Sequence, residues 1–163
     1  MRPIIKALLV LCGGTAVCPA ALKPNTPSEV CGFLGELGLR TSGWKSQYGD
    51  VFGCSSPYKE LGAGNPLAND LAFYVDGNRS TVTQVKLVLN VNNRAAAKPA
   101  HSELLKAAEV LSTKTTGQQL PQALREAIQG GRKGSAKVGI STVEVTRDDW
   151  PTGRGYEVHV TIK

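Results

Sequence analysis

Residues 69–93 alternate. Thr81, Thr83, Val85, Leu87, Leu89 and Val91 fall on one face of an extended segment, and Gln84, Lys86, Asn90 and Asn92 on the other, with Val82 and Val88 among them. A period of two describes a half-buried antiparallel strand with one wet face. Asp76-Gly77-Asn78, residue types that accept the positive φ of a tight turn, joins it to a strand beginning near Asn69. This hairpin is the expected scaffold of the fold.

Other segments carry weaker patterns. Residues 39–48 and 51–61 read as two strands around a Gly49-Asp50 turn. Residues 138–145 read as a strand whose apolar phase changes between Val138, Ile140 and Val143, Val145, predicting a bulge near Ser141-Thr142. Residues 147–155 read as a turn region. The last strand is clean, with Tyr156, Val158, Val160 and Ile162 inward and Glu157, His159 and Thr161 outward.

Three helices complete the reading. Thr26-Pro27-Ser28-Glu29 is a helix start, with Thr26 as N-cap, Pro27 at the first helical position and Glu29 closing a capping box. Val30, Phe33, Leu34 and Leu37 form its apolar stripe, and Gly38 ends it. Gly32 and Gly35, each costly inside a helix at about 1 kcal/mol, are expected to admit a close neighbour. A second helix runs from Ala95 or Pro99 to Thr116, with Leu104, Ala108 and Leu111 on one face and Gly117 as its stop. Leu120-Pro121 opens a third, in which Leu120, Leu124, Ala127 and Ile128 share a face before Gly130-Gly131.

The element order is α-β-β-β-β-α-α-β-β. Hairpin connections predict an antiparallel sheet of about six strands with the helices on one face, a single α+β domain. In element order alone the layout is similar to TATA-binding-protein-like and type III secretion-chaperone-like α+β folds. No sequence motif carries that resemblance, and such a fold does not decide function.

Residues 1–20 stand apart. A positive start at Arg2 and Lys6, an apolar run from Ala7 to Val17 and small residues near Ala20 predict a secretory signal peptide cut after Ala20 or Ala21. The folded domain is then residues 22–163, with a short exposed lead at 22–25. The apolar run is shorter than the roughly 20 residues a membrane span needs. Cys18 sits where a lipoprotein cysteine would, which leaves a lipid anchor there as the lesser alternative, since Val17 is larger than the small residue such signals generally carry before the cysteine.

Loss of Arg2 and Lys6 takes the bases from 19 to 17 against 13 acids, so the formal charge falls from +6 to +4. The bases are scattered, which does not describe a nucleic-acid footprint. Cys12 and Cys18 leave with the signal, and Cys31 and Cys54 are expected to pair in an oxidising compartment, the bacterial periplasm or the exterior.

Catalytic motifs are sparse. His101 and His159 have no metal-ligand spacing to a second residue, and neither HExxH nor GxSxG occurs. Ser42-Gly43-Trp44-Lys45 and Ser56-Pro57-Tyr58-Lys59 match Ser-x-x-Lys but lie in strand-like sequence, where residues three apart face opposite ways. Asp148 and Asp149 are adjacent on an extended chain and diverge. Residues 130–135 have the wrong glycine spacing for a phosphate loop and read as a flexible basic loop that could touch an acidic partner.

Four of the nine aromatic residues, Trp44, Tyr48, Phe52 and Tyr58, fall in the first strands. They either cap the core beside the disulfide or form an exposed partner surface. The expected function is an exported protein-binding module, of the inhibitor or immunity type, using no cofactor or metal. Its candidate binding residues are Trp44, Tyr48, Tyr58, Arg132 and Lys133. The alternatives are a small hydrolase built on Glu36, Asp50 or the Asp148-Asp149 turn, and a secretion-accessory or small-ligand module.

Overall fold

The inward rows of alternating side chains decide which side of the sheet is dry. A computed structural model describes residues 22, 24, 26–65 and 67–163. The expected signal peptide and the Cys18 question lie outside the described residues. The strands are β1 (Lys45–Tyr48), β2 (Val51–Ser55), β3 (Lys59–Leu61), β4 (Asn69–Gly77), β5 (Val82–Val91), β6 (Gly134–Val138), β7 (Ser141–Asp149) and β8 (Tyr156–Ile162). They form one open antiparallel sheet in the order β1-β2-β4-β5-β8-β7-β6, with β3 also on β4. Helices α1 (Pro27–Cys31), α2 (Ala97–Thr116) and α3 (Gln122–Gln129) lie against one face. The α+β class, the antiparallel sheet and the one-sided helices stand as expected.

Register lines up the core. Leu71, Leu89 and Val158 form one cross-strand row; Phe73, Leu87, Val160 and Val145 the next; Val75, Val85, Ile162 and Val143 a third. Leu104 and Leu111 from α2 and Leu124 and Ile128 from α3 cover these rows, all essentially buried. Each such side chain contributes about 2 kcal/mol by leaving water.

The sheet has eight strands because two segments divide differently from the pattern. The run at 51–61 breaks at Pro57, which has no N–H for the ladder. β2 and β3 therefore pair with successive parts of β4. At the break, buried Ser56 donates its N–H to the Phe73 carbonyl, and its Oγ accepts the Phe73 N–H at 3.0 Å. Ser56→Ala leaves that buried N–H without a partner, with an expected loss of about 2 kcal/mol in denaturant unfolding. An unchanged midpoint would mean that water reaches the site.

The second division is at residues 138–141. The phase change there is a tight hairpin turn at Gly139-Ile140, not a bulge: Gly139 adopts φ +63° and Ile140 is 57% exposed. The segment before it, expected as loop through Ser135 and as strand only from Val138, is the edge strand β6 from Gly134 to Val138. A bulge does occur in β5, where Asp76 pairs with Gln84 and Gly77 with Val82. Thr83 is the extra residue. It is exposed, while Val82 beyond it is buried, the reverse of the simple alternation. The turn itself begins two residues later than expected, at residues 78–81, closed by the Asn78 N–H on the Thr81 carbonyl.

The first helix is shorter than its stripe. It stops at Cys31, turns, and resumes as a single 3-10 turn at Gly35–Leu37, ended by Gly38 in the left-handed region. Thr26 makes no side-chain cap, so the capping box does not form. Nothing lies within 4 Å of a Cβ placed on Gly35, and Gly32 would meet the Glu29 and Ser28 carbonyls of its own turn. The glycines shorten the helix and admit no close neighbour. Cys31 is bonded to Cys54 on β2, stapling helix to sheet as expected. Leu22, expected on an exposed lead, is buried in the core at 1% exposure.

Candidate functional site

The predicted site residues do not converge. Trp44 packs partly against the core and donates its indole N–H to the Arg79 carbonyl at 3.2 Å. Capping the core describes Trp44, but Tyr48 and Tyr58 are 73% and 49% exposed. Arg132 and Lys133 precede β6, at the edge opposite β1. Glu36 lines a hollow with Arg40 and Trp44, Asp50 sits in the β1–β2 turn, and Asp148 and Asp149 end β7. The acids of the hydrolase reading therefore lie in three separate places, and only the adjacent Asp148 and Asp149 line a common hollow.

Two constellations do form, and the register builds both. On the face of the sheet turned away from the helices, Glu60 lies opposite Asp70, Asp70 opposite Asn90, Asn90 opposite Glu157, and Glu157 opposite Asp148. Four carboxylates and one amide thus run across five strands, spaced by about 4.8 Å per strand. Two rows away, Tyr74 pairs with Lys86. The Tyr58 and Tyr74 hydroxyls are 3.1 Å apart, and the Lys86 ammonium sits 5.2 Å from the Tyr74 ring centre. Ala72 and Val88 floor the strip between them.

Like charges opposite one another weaken a sheet. Burial holds the Asp70 carboxyl above its ordinary range; the Asn90 and Asn92 amides pull it down, and Glu60 and Glu157 push it up again. A raised carboxyl binds its proton more tightly in the folded chain. Its stabilising share is complete below the ordinary carboxylate pKa of about 3.9 and is lost as pH rises through the raised value. At neutral pH, then, Asp70 weakens the fold. Glu60→Gln is expected to bring the Asp70 titration closer to ordinary and to add about 0.5 kcal/mol at pH 7. Carboxyl NMR titration with thermal melts at two pH values checks this, and an unmoved Asp70 refutes it. Burial and the Tyr58 hydrogen bond raise Tyr74 above the ordinary phenol range.

The second constellation closes the opposite face where the helices no longer cover it. His101, on α2, is buried. Its Nδ1–H donates to the Gln129 carbonyl at 2.9 Å, since a carbonyl only accepts, and in the neutral ring Nε2 accepts the Tyr156 hydroxyl at 3.0 Å. The Arg147 guanidinium stacks 3.7 Å from the Tyr156 ring centre, gives Nη1 to the Gly131 carbonyl, and grips Asp149 through Nε and Nη2. Arg94 adds a 3.3 Å contact to Asp149. The hydrogen bond with Arg147 holds the Asp149 carboxyl below its usual range and raises the Arg147 guanidinium further. Burial pushes the Tyr156 phenol up against the opposing pull of Arg147 and Arg94.

The basic loop is consequently fixed. The Arg132 N–H bonds the Ala127 carbonyl at 2.8 Å, the Gly131 N–H bonds Ile128, and Gly131 and Gln129 offer their carbonyls to Arg147 and His101. Arg132 and Lys133 project from it beside Arg147 and Asp149 around a hollow of about 570 Å³.

Tyr74, Asp70, Arg147 and Tyr156 are absent from the sequence-derived candidates. Tyr156 carried a signal: it is the one hydroxyl-bearing side chain in the inward row of β8, and a buried tyrosine hydroxyl needs a partner.

These features define a single-domain α+β protein with a disulfide, one helix-covered sheet face and one open face crossed by acids. The chain belongs to DUF6030, a family of unknown function, which matches residues 21–154. No curated protein and no solved structure matches it.

Proposed function

We propose that this chain is an exported binding module without catalytic chemistry, and that its partner is another protein presenting a basic surface to the open face of the sheet. The acidic row carries this reading. Glu60 faces Asp70, and Glu157, itself bonded to His159 at 2.8 Å, faces Asp148. Like charges directly opposed weaken a sheet, and a fold retains such a cost where the charges serve an encounter. Charges of one sign steer association and select the partner, while the Tyr58–Tyr74 pair supplies the aromatic anchor common at interface centres. Behind β4 and β5 the space is filled by Phe73, Leu87, Leu104 and Leu111, which favours a broad surface over an enclosed ligand.

The Cys31–Cys54 bond supports an oxidising compartment, the periplasm or the exterior. No helix among the described residues is long and apolar enough to cross a membrane. An inhibitor or immunity-type role fits these properties.

Capture from a periplasmic extract tests the reading with wild-type protein and a Glu60→Lys/Glu157→Lys variant side by side. The expected result is a specific basic protein held by the wild type, lost from the variant and released by ~0.5 M salt. A partner retained equally by both proteins would overturn the assignment of the surface, and no specific partner would overturn the function.

A further inference from the structure

We propose that the cationic end of the sheet binds an extended acidic segment of another protein. The segment's backbone would add to the free edge of β6 and its carboxylates would meet Arg132 and Lys133. This surface meets the open face at Asp148, which lines the same hollow as Arg132 and Lys133; the Glu60→Lys/Glu157→Lys variant reads the open face and the edge variants below read this one.

β6 is the last strand of the sheet and pairs only with β7. The direction of its free peptide groups follows from the next ladder. Thr142 exchanges both backbone hydrogen bonds with Lys163, at 2.7 and 3.0 Å, so its peptide groups face β8. Lys137, opposite Thr142, is therefore at a non-hydrogen-bonded position and turns its N–H and C=O to the free edge. The alternation repeats at Ser135, opposite Glu144. Two donors and two acceptors project in the spacing an added antiparallel strand requires.

Charge selects the strand. Arg132 and Lys133 are exposed, immediately precede β6, and close no ion pair among the described residues. Two acids border the same hollow: Asp149 is already gripped by Arg147 and Arg94, while Asp148 closes no ion pair among the described residues and leaves the two loop cations in excess of it. Lys137 adds a third cation along the edge, its ammonium on Thr142 Oγ1. Lysines at an edge repel neutral and basic strands that would otherwise aggregate there, and an acidic strand escapes that penalty.

Rigidity adds to the case. Gln129, His101, Tyr156, Arg147 and Gly131 form a closed circuit of hydrogen bonds and one stack, which fixes the loop carrying Arg132 and Lys133 before any ligand arrives. Binding then requires no ordering of the loop.

The test uses the full mature chain with its disulfide intact and three probes: a peptide alternating Glu and Val, the same peptide with Gln for Glu, and free glutamate. Residue-resolved amide exchange and NMR titration are the readouts. The Glu peptide is expected to protect the Ser135 and Lys137 amides, leaving Ala136, already bonded to β7, unchanged. Arg132→Glu with Lys133→Glu should weaken binding at least about tenfold. Ser135→Pro removes an edge donor that the native ladder does not use, and should abolish the protection. Melting temperature and the intact disulfide confirm that both variants fold. No protection at Ser135 and Lys137, or equal protection by the Gln peptide, would overturn the proposal. So would free glutamate binding as tightly as the peptide, which would reduce the site to a general anion notch.

Discussion

Gly131→Ala is expected to lose about 3 kcal/mol of stability, a fall of roughly 10 °C in melting temperature for a domain of this size. Two costs combine. Gly131 adopts φ +57°, where a side chain costs about 1 kcal/mol or more. Its new Cβ would also lie 2.5 Å from His101 Cε1 and 3.4 Å from Arg147 Nη1. His101 has nowhere to retreat, because Gln129 and Tyr156 hold its two nitrogens from opposite sides. Overpacking of this kind costs about 1–3 kcal/mol. Gly153→Ala is the control: it shares the backbone constraint, at φ +68°, but has nothing within 4 Å, so only the smaller first cost applies. Equal losses in the two variants would show that His101 yields freely and that the circuit around Arg147 is not rigid.

Breaking the Cys31–Cys54 bond, by Cys31→Ser with Cys54→Ser, is expected to cost about 3 kcal/mol, the chain-entropy value for a loop closed across a separation of 23 residues. The fold should survive. Two other ties hold the α1 region to the body, Lys59 on the Leu37 carbonyl at 2.9 Å and Lys114 on the Phe33 carbonyl at 3.0 Å, while Thr41 Oγ1 on the Cys31 carbonyl at 3.0 Å closes the segment on itself. Val30 and Leu34 remain fully buried beneath them. Amide exchange should therefore quicken first over residues 27–41, with the amides of β4, β5 and β8 keeping their protection relative to the global unfolding rate. An unchanged melting temperature would mean that the denatured chain gains nothing from losing the crosslink, contrary to this account.

What the sequence made legible was whatever local pattern alone determines. α2 and α3 lie where the helical stripes and their glycine stops placed them, and β8 faces as its unbroken alternation required. The reading failed where a partner strand decides. Thr83 is bulged because Gln84 must meet Asp76, which the hydrophobicity of β5 does not encode. β6 escaped notice because an edge strand against α3 needs few apolar side chains, and Ala136 and Val138 are all it turns inward. The acidic row is less visible still. Glu60, Asp70, Glu157 and Asp148 are each ordinary outward residues, and only the register of five strands brings them into line. His101 looked isolated for the same reason: Tyr156, its partner, is 55 residues away.

The position of β8 bears on how this domain assembles. Its neighbours are β5 and β7, so residues 156–162 complete the middle of the sheet rather than its margin. Until that strand arrives, β1–β5 and the β6–β7 hairpin are separate pieces, each presenting a long apolar edge that could capture a neighbouring chain. Joining them requires contacts between residues 82–91 and 156–162, distant in sequence and slow to form. Folding should be cooperative, late and sensitive to crowding by other unfolded chains. A chain lacking those seven residues should aggregate rather than fold into a smaller version of the same domain.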